Sequence, residues 1–493
     1  MVEHNLAKVG VAGSSPVFRS IDNIPVEILG FFYIKSEKSA ERISFPPVSD
    51  AVRTGRQRVM KPFIPEFIAG AFLVAVLGII TAGGLENLHD VQEITAGIIL
   101  LATLIVFTLG KSPVFRVDRA GMSIIGASLM TAFGILSIEE AVQSIDAQTI
   151  VVLFSLMVIV SNLKLAGFFA YVGRLIFVHI HSGKMLLLSV IAIAGLLSSV
   201  VINDIVCLLF TPIVIMICLQ VKVNPVPYLL AVAMSSNIGS ACTFIGNPQN
   251  VLIGSLSQVP AGEYFAAAAP LSFLGLALLY LALRLVYRRD LEVRFDYVNG
   301  ENKNIHTYLL ARTLIVLALV IIFYLLGVDL AVTASFGAAF LLINSRIKPE
   351  RVYEDIDFNL LIMFIGLFVI IAGVDKSGLL VLINSFLPPE YMEQIPLFSL
   401  TAIALSNIVS NVPAVLLLRY YIPADGQVLW QALALMSTIA GNLTVFGSIA
   451  NLIVLEIAKK QGIRISSGEY LKIGFPLTIV LSVISIVWFS AIR

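Results

Sequence analysis

Residues 243–250 read TFIGNPQN, and they lie inside an apolar stretch that runs from Val226 to Leu256. Gly246 and Pro248 break a helix there, and Asn247, Gln249 and Asn250 bring amide oxygens and N–H donors to the gap. At membrane depth, unwound backbone is tolerated only where protein or a water-filled cavity satisfies its N–H and C=O groups. Freed carbonyls at such a gap suit a cation, and the N-termini of half-helices suit an anion. A second segment, TVFGSIAN at 444–451, repeats the pattern T-x-x-G-x-x-x-N: Gly447 and Asn451 mark the break, and Ser448 stands where Asn247 does. The other chemically capable residue is Asp204, an acid deep within an apolar segment, able to hold a cation or carry a proton. A single break could be a kink whose amides bond neighbouring helices. Two breaks at matching places, each following a hairpin with Asn at its midpoint, favour a binding site.

The elements that position these residues follow from composition. Of 493 residues 58% are hydrophobic and 13% charged, and the mean hydropathy is +0.96. This is the profile of an all-α polytopic membrane protein, multi-pass in the bilayer. Net charge is +1, and the charges fall between apolar runs, so no basic face exists for nucleic acid. Cys207, Cys218 and Cys242 lie in apolar segments without CxxC or Cys/His spacing, which argues against a disulfide framework or a zinc site. No HExxH, GxSxG or Walker motif occurs, and His4, His89, His179, His181 and His306 fall in tails, loops or amphipathic ends, so no enzyme is indicated and no cofactor is expected. ATP drive would need a separate subunit.

A hydrocarbon core of about 30 Å needs about 20 apolar residues per helix. That criterion places about 11 transmembrane helices, near 63–84, 93–110, 119–137, 148–166, 227–254, 265–287, 309–326, 328–344, 358–374, 429–455 and 470–491. Two further apolar segments, 184–219 and 394–422, are too long for one span and are interrupted by Asn203-Asp204 and by Asn411-Val412-Pro413. Each reads as a helical hairpin that re-enters from one side or crosses twice. With the N-terminus inside, all of the 32 Lys and Arg except Lys376, Arg419 and Arg493 fall on the cytoplasmic side, which puts the C-terminus outside. Residues 1–59 read as a disordered or interfacial cytoplasmic tail without a secretory signal, unless translation begins at Met60.

Four motifs recur in order. SID at 144–146 returns as DID at 355–357, with Gly167 and Gly378 at the same offset. Ser198 and Asn203 match Ser406 and Asn411, TFIGNPQN matches TVFGSIAN, and GEY at 262–264 matches GEY at 468–470. The expected domains are a tail at 1–59, an extra helix at 60–92, a first repeat at 93–287, a linker at 288–308 and a second repeat at 309–493. Five spans and one hairpin per unit make an odd number of crossings, so this is an inverted five-helix repeat.

The hairpins SSVVIND and SNIVSNVP, the broken helix SSNIGSACTFIGNPQN and the closing AGNLTVFGSIANLIV resemble the ion transporter superfamily, which holds arsenite permeases, divalent anion and sodium symporters and sodium/proton antiporters. The resemblance covers roughly residues 60–493, and IGNPQN is most similar to the arsenite-permease-like anion permeases. It implies a homodimer in the cell (inner) membrane, with a scaffold around a mobile transport unit and elevator-type movement. Carried over by motif, the substrate- or cation-binding positions are Ser198, Asn203 and Asp204; Thr243, Gly246, Asn247, Pro248 and Asn250; Ser406, Asn411 and Pro413; and Thr444, Gly447, Ser448 and Asn451. Na⁺ is expected near Asn203, Asp204 and Gly246 and near Asn411 and Gly447. Dicarboxylate symporters carry Ser-Asn-Thr at their hairpin tips, whereas here Asn203 is followed by Asp204 and Asn411 by Val412, which argues against di- and tricarboxylates. The expectation is secondary transport of a small anion or arsenite-like oxyacid, coupled to Na⁺ or H⁺; a monovalent cation/proton antiporter with Asp204 as exchange site is the alternative.

Overall fold

The computed structural model describes residues 88–295, 305–343, 347–386 and 388–492. The expected tail at 1–59 and the span at 63–84 lie outside the described residues. No strand occurs among those described, and eight of their helices are long and apolar enough to cross a membrane. This is a multi-pass integral membrane protein.

The chain runs through α1 (Leu88–Leu109), α2 (Arg119–Ala132), α3 (Ile138–Gln143), α4 (Ala147–Leu165), α5 (Phe168–His179), α6 (Gly183–Val200), α7 (Asn203–Gln220), α8 (Val226–Ser240), α9 (Pro248–Leu256) and α10 (Ala261–Val286). It continues through α11 (Thr307–Leu325), α12 (Leu330–Leu342), α13 (Pro349–Tyr353), α14 (Phe358–Lys376), α15 (Leu379–Phe386), α16 (Pro389–Met392), α17 (Ile395–Val409), α18 (Asn411–Leu418), α19 (Gln427–Ile439), α20 (Ile449–Lys460) and α21 (Ser467–Ile492). Leaving out α16, the second series has ten helices, as the first does. Its landmarks coincide: α4 and α14 have 19 residues each, α10 and α21 have 26 each, and left-handed glycines precede α5 and α15, Gly167 at φ 83° and Gly378 at φ 84°.

The expected spans at 227–254 and 429–455 are each two α-helices separated by a non-α segment, 241–247 and 440–448, the second containing the 3-10 turns Ala440–Asn442 and Val445–Gly447, at the places where Gly and polar residues interrupt the apolar run. The two hairpins turn at Val201-Ile202 and at Ser410, next to the asparagines. The helices α5 and α15 were not anticipated, because twelve and eight residues are too short for the span criterion that located the others.

The halves interlock. Helix α2 packs on α14, and α12 packs on α4, so each half contributes a short helix to the other's long one. Lys164 at the end of α4 meets Asp355 at 2.5 Å, and Lys376 at the end of α14 meets Glu140 at 2.6 Å. A second body forms where α6 packs on α8, α7 on α20, α17 on α19 and α10 on α21. The residues expected to form the site lie in this second body and along its contact with the first.

Candidate functional site

Four helices begin at one place: α7 at Asn203, α9 at Pro248, α18 at Asn411 and α20 at Ile449. Each helix start leaves backbone N–H groups without an intrahelical partner. In the surrounding body aspartates cover four such ends. Asp118 accepts from Gly121 N at 2.9 Å, Asp146 from Gln148 N at 3.2 Å, Asp329 from Val332 N at 3.1 Å and Asp357 from Leu360 N at 3.1 Å. At the site the residues in the cap positions, Ile202, Asn247, Ser410 and Ser448, make no side-chain cap bond. Apart from the Asn203 N–H, which is bound to Gly246 O, the positive ends of these four helices are open to whatever fills the space between them.

That space is a cavity of about 40 Å³ lined by Asp204, Asn247, Pro248, Gln249, Ser410, Asn411, Val412, Pro413, Gly447, Ser448 and Ile449, with Phe107, Arg119, Leu360 and Met363 from the interlocked body. It has room for roughly three waters or one small ion. A neighbouring cavity of about 100 Å³ is lined by Asp204, Ser161, Lys164, Asp355 and Asp357 among others. Asp204, Leu360 and Ile449 belong to both walls. The sequence-expected tips and breaks thus meet, although they come from four separate stretches of chain.

Asparagines hold the breaks open. Asn250 Nδ2 donates to the carbonyls of Ser240 (3.3 Å) and Thr243 (3.1 Å), and its Oδ1 accepts from Thr438 Oγ1 at 2.9 Å. Asn451 does the same in its own half, with Gly441 O at 2.7 Å, Thr444 O at 3.3 Å and Asn237 Nδ2 at 3.1 Å. Each thus caps its own break and is tied to the opposite half. Neither is in the wall of these two cavities, and the bonds of both hold the shape of the loops. The threonines are committed too: Thr243 Oγ1 donates to Ser199 O at 2.5 Å and accepts from Gly246 N at 3.2 Å, while Thr444 Oγ1 donates to Asn407 Oδ1 at 3.1 Å.

The hairpin tips are placed by the breaks. Asn203 N donates to Gly246 O at 3.0 Å, and Asn203 Nδ2 to Asn237 Oδ1 at 3.0 Å. Gly246 is required there, because a β-carbon would stand 2.4 Å from Ser198 O. Four buried atoms at the tips have no hydrogen-bond partner among the described residues: Ser198 Oγ and Asn203 Oδ1 in one hairpin, Ser406 Oγ and Asn411 Oδ1 in the other. These are matching positions of the two halves. Other unpartnered buried atoms are hydroxyls, so Asn203 and Asn411 supply the two orphaned amide oxygens. Such atoms need an ion, a ligand or water. Asp204 itself makes no hydrogen bond among the described residues; the nearby charges acting on it are those of Arg119 and Asp357.

Several participants escaped the sequence reading. Asn237 bridges both halves, donating to Asn442 Oδ1 at 2.9 Å and accepting from Ser448 Oγ at 3.0 Å. Thr438, which occupies the same position in the second half, also accepts from Gln249 Nε2 at 3.1 Å. The spacing between the two T-x-x-G-x-x-x-N segments would have paired them. Arg119 had no signal, since it follows a basic loop and reads as one more cytoplasmic charge.

Interlocked apolar helices around a polar cavity of uncapped helix ends define a polytopic membrane transporter. A solved structure with the same fold is the Alcanivorax borkumensis YdaH transporter, which aligns with a TM-score of 0.51 at 14% identity over 82% of this chain and 98% of that one. Residues 102–440 match the family described as citrate transporter, CitMHS, and the chain belongs to that family within the ion transporter superfamily. It is accordingly a transporter of the secondary, anion-moving class and not an enzyme. Relatives include a Dictyostelium discoideum protein carrying the transporter name arsB, 28% identical over 79% of this chain and 91% of its own. The silicon efflux transporter LSI3 of Oryza sativa subsp. japonica is 28% identical, covering 76% and 93%. A 46 kDa membrane protein of Mycobacterium leprae is 25% identical, covering 78% and 96%.

Proposed function

We propose that the protein is a secondary active transporter of a small inorganic anion or arsenite-like oxyacid, coupled to Na⁺ or H⁺, in which Ser198, Asn203, Asp204, Ser406 and Asn411 hold the coupling ion and the uncapped starts of α7, α9, α18 and α20 hold the substrate. The convergence of four uncapped helix N-termini on one small cavity carries this reading: aligned peptide dipoles favour an anion there, and the orphaned Asn203 and Asn411 oxygens suit a cation beside it. The names of the silicon efflux and arsB relatives agree with a small oxyacid. The family description names citrate, but a cavity of about 40 Å³ in this conformation favours something smaller.

The same proposal includes an inverted repeat, N-terminus inside and C-terminus outside, in the cell inner membrane, with elevator movement and a homodimeric assembly. Its grouping of segments by face is supported by contacts between loops: Lys164 with Asp355 and Asn224 with Asp290 join segments assigned inside, Lys376 with Glu140 and Gln148 with Asp329 segments assigned outside. Both cavities draw their scaffold residues from the cytoplasmic ends of α1, α2, α4 and α14, so the conformation is read as inward-facing. Reconstituted vesicles loaded against sulfate, phosphate, arsenite, silicic acid or citrate, with imposed Na⁺ or H⁺ gradients, test it. Gradient-dependent accumulation of one of the small oxyacids is the expected result; exchange of Na⁺ or Li⁺ for H⁺ without any anion would instead support the antiporter reading, in which Asp204 and Asp357 in the larger cavity bind the cation.

A further inference from the structure

Arg119 is the one cationic side chain in the wall of the central cavity, among the described residues. Its Nε donates to Phe107 O at 2.9 Å, which fixes the guanidinium, and its two terminal nitrogens have no hydrogen-bond partner among the described residues. A positioned guanidinium with free terminal N–H groups is the group best suited to grip a planar or tetrahedral oxyanion by two parallel hydrogen bonds. It stands in the interlocked body, opposite the uncapped starts of α9, α18 and α20, so an anion between them would be held from both bodies.

The matching position in the second half is not cationic. Asp118 caps α2 through Gly121 N, and Asp329 caps α12 through Val332 N in the same register. That register pairs Arg119 with Leu330, which is buried. At this register the first series therefore carries a positive charge and the second does not.

Resting on the anion-transport reading above, we infer that Arg119 is the specificity-determining residue of the cytoplasm-facing site: it selects an ionised oxyanion over a neutral acid such as silicic or arsenious acid, and it does so in the inward-facing state alone. When the mobile body moves to the opposite face, the anion meets Leu330 in place of a guanidinium and is released more easily. Arg119 also opposes cation binding, because its charge acts on Asp204.

The test uses the full chain, purified in detergent, with sulfate, inorganic phosphate and citrate as anionic probes, silicic and arsenious acid as neutral ones, and Na⁺, each followed by calorimetry. Arg119→Gln should weaken the tightest-bound anion by roughly ten- to a hundred-fold, the loss typical of removing a hydrogen bond to a charged group. Neutral acids should be unaffected, Na⁺ should bind more tightly, and Arg119→Lys should recover part of the anion affinity. A purely structural role would instead loosen every ligand together, and that result, or unchanged anion affinity in Arg119→Gln, overturns the inference. In vesicles of known sidedness the variant should raise KM from the cytoplasmic face and leave the outer face unchanged; equal effects at both faces refute the state dependence. Wild-type protein that binds none of the anions sinks the anion reading itself, and the Arg119 inference with it.

Discussion

Replacing Gly246 by alanine should disable the site through geometry alone. The added β-carbon would stand 2.4 Å from Ser198 O and 2.6 Å from both Cα and O of Ser240, about an ångström inside the ~3.5–4.0 Å at which non-bonded carbons rest. All three obstructing atoms are backbone, so no rotamer change relieves the clash, and overpacking of this kind costs about 1–3 kcal/mol. The carbonyl of Gly246 holds Asn203 N at 3.0 Å, so a shift large enough to admit the methyl breaks that bond and carries the hairpin tip with it. Misplacing a functional constellation by about 1 Å costs on the order of a hundred-fold in rate. Uptake into reconstituted vesicles and thermal unfolding in detergent read the two effects. Gly262→Ala is the control, since a β-carbon there meets nothing within 4 Å. Wild-type uptake and stability in Gly246→Ala would refute the packing of tip against break.

Asn250→Leu and Asn451→Leu should each lower thermal stability as well as uptake, because each leaves loop carbonyls and a donor from the opposite half unpaired at about 1–3 kcal/mol per orphaned group. An inactive variant of undiminished stability would restore a direct ligand role. Asp204→Asn should leave the fold intact and remove the dependence of uptake on an imposed Na⁺ or H⁺ gradient; wild-type dependence would place coupling elsewhere. Hydrogen bonds from Lys376 and from the Ser137 N–H hold the Glu140 carboxyl below its ordinary value. That pair stabilises the fold above the unfolded-chain pKa of about 4.3 and is lost as pH falls through the folded value. Glu140→Gln should therefore flatten the acid limb of the thermal-stability profile, and an unchanged limb would show that the pair contributes nothing.

Much of this architecture was legible because the membrane limits what an apolar sequence can do. Long runs read as helices, and Gly246 with Pro248, and Gly447, each beside clustered polar residues at matching places, read as breaks. Repetition supplied the rest: Ser198 with Ser406 and Asn203 with Asn411 were paired by sequence before the structure showed all four with unpartnered atoms. What stayed hidden depended on contacts across the chain. The bonds of Asn250 and Asn451 to loop carbonyls, and to Thr438 and Asn237 across the chain, could not be read in one dimension. Arg119 is two residues beyond Val117 in a basic loop, and only the packing of α2 against α14 turns it toward Asp204. Helix α5 was missed for another reason: it follows the left-handed Gly167 and is too short to span.

The distribution of polar bonds says where the proposed movement can occur. Asn237 alone joins Asn203, Asn442, Ser448 and Asn451, and Thr438 joins Gln249 and Asn250, so separating the tips from the breaks would orphan several buried groups at once. The interlocked body is tied in the same way by Lys164 with Asp355, Lys376 with Glu140 and Gln148 with Asp329. Between the two bodies the hydrogen bonds among the described residues are few and cheap to release. Thr108 Oγ1 on α1 reaches Ile408 O at the second hairpin tip at 2.5 Å, but the same hydroxyl lies 2.7 Å from Leu104 O of its own helix. It can give up the hairpin and keep a partner. Most of the remaining boundary is the apolar wall of Met157, Val160, Leu208, Leu360 and Ile453, where one hydrocarbon surface can replace another at little cost. Motion that carries both hairpins and both breaks as one unit past α4 and α14 therefore loses the least, and on the proposed mechanism it would take a bound anion away from Arg119 without opening the network of Asn237 and Thr438.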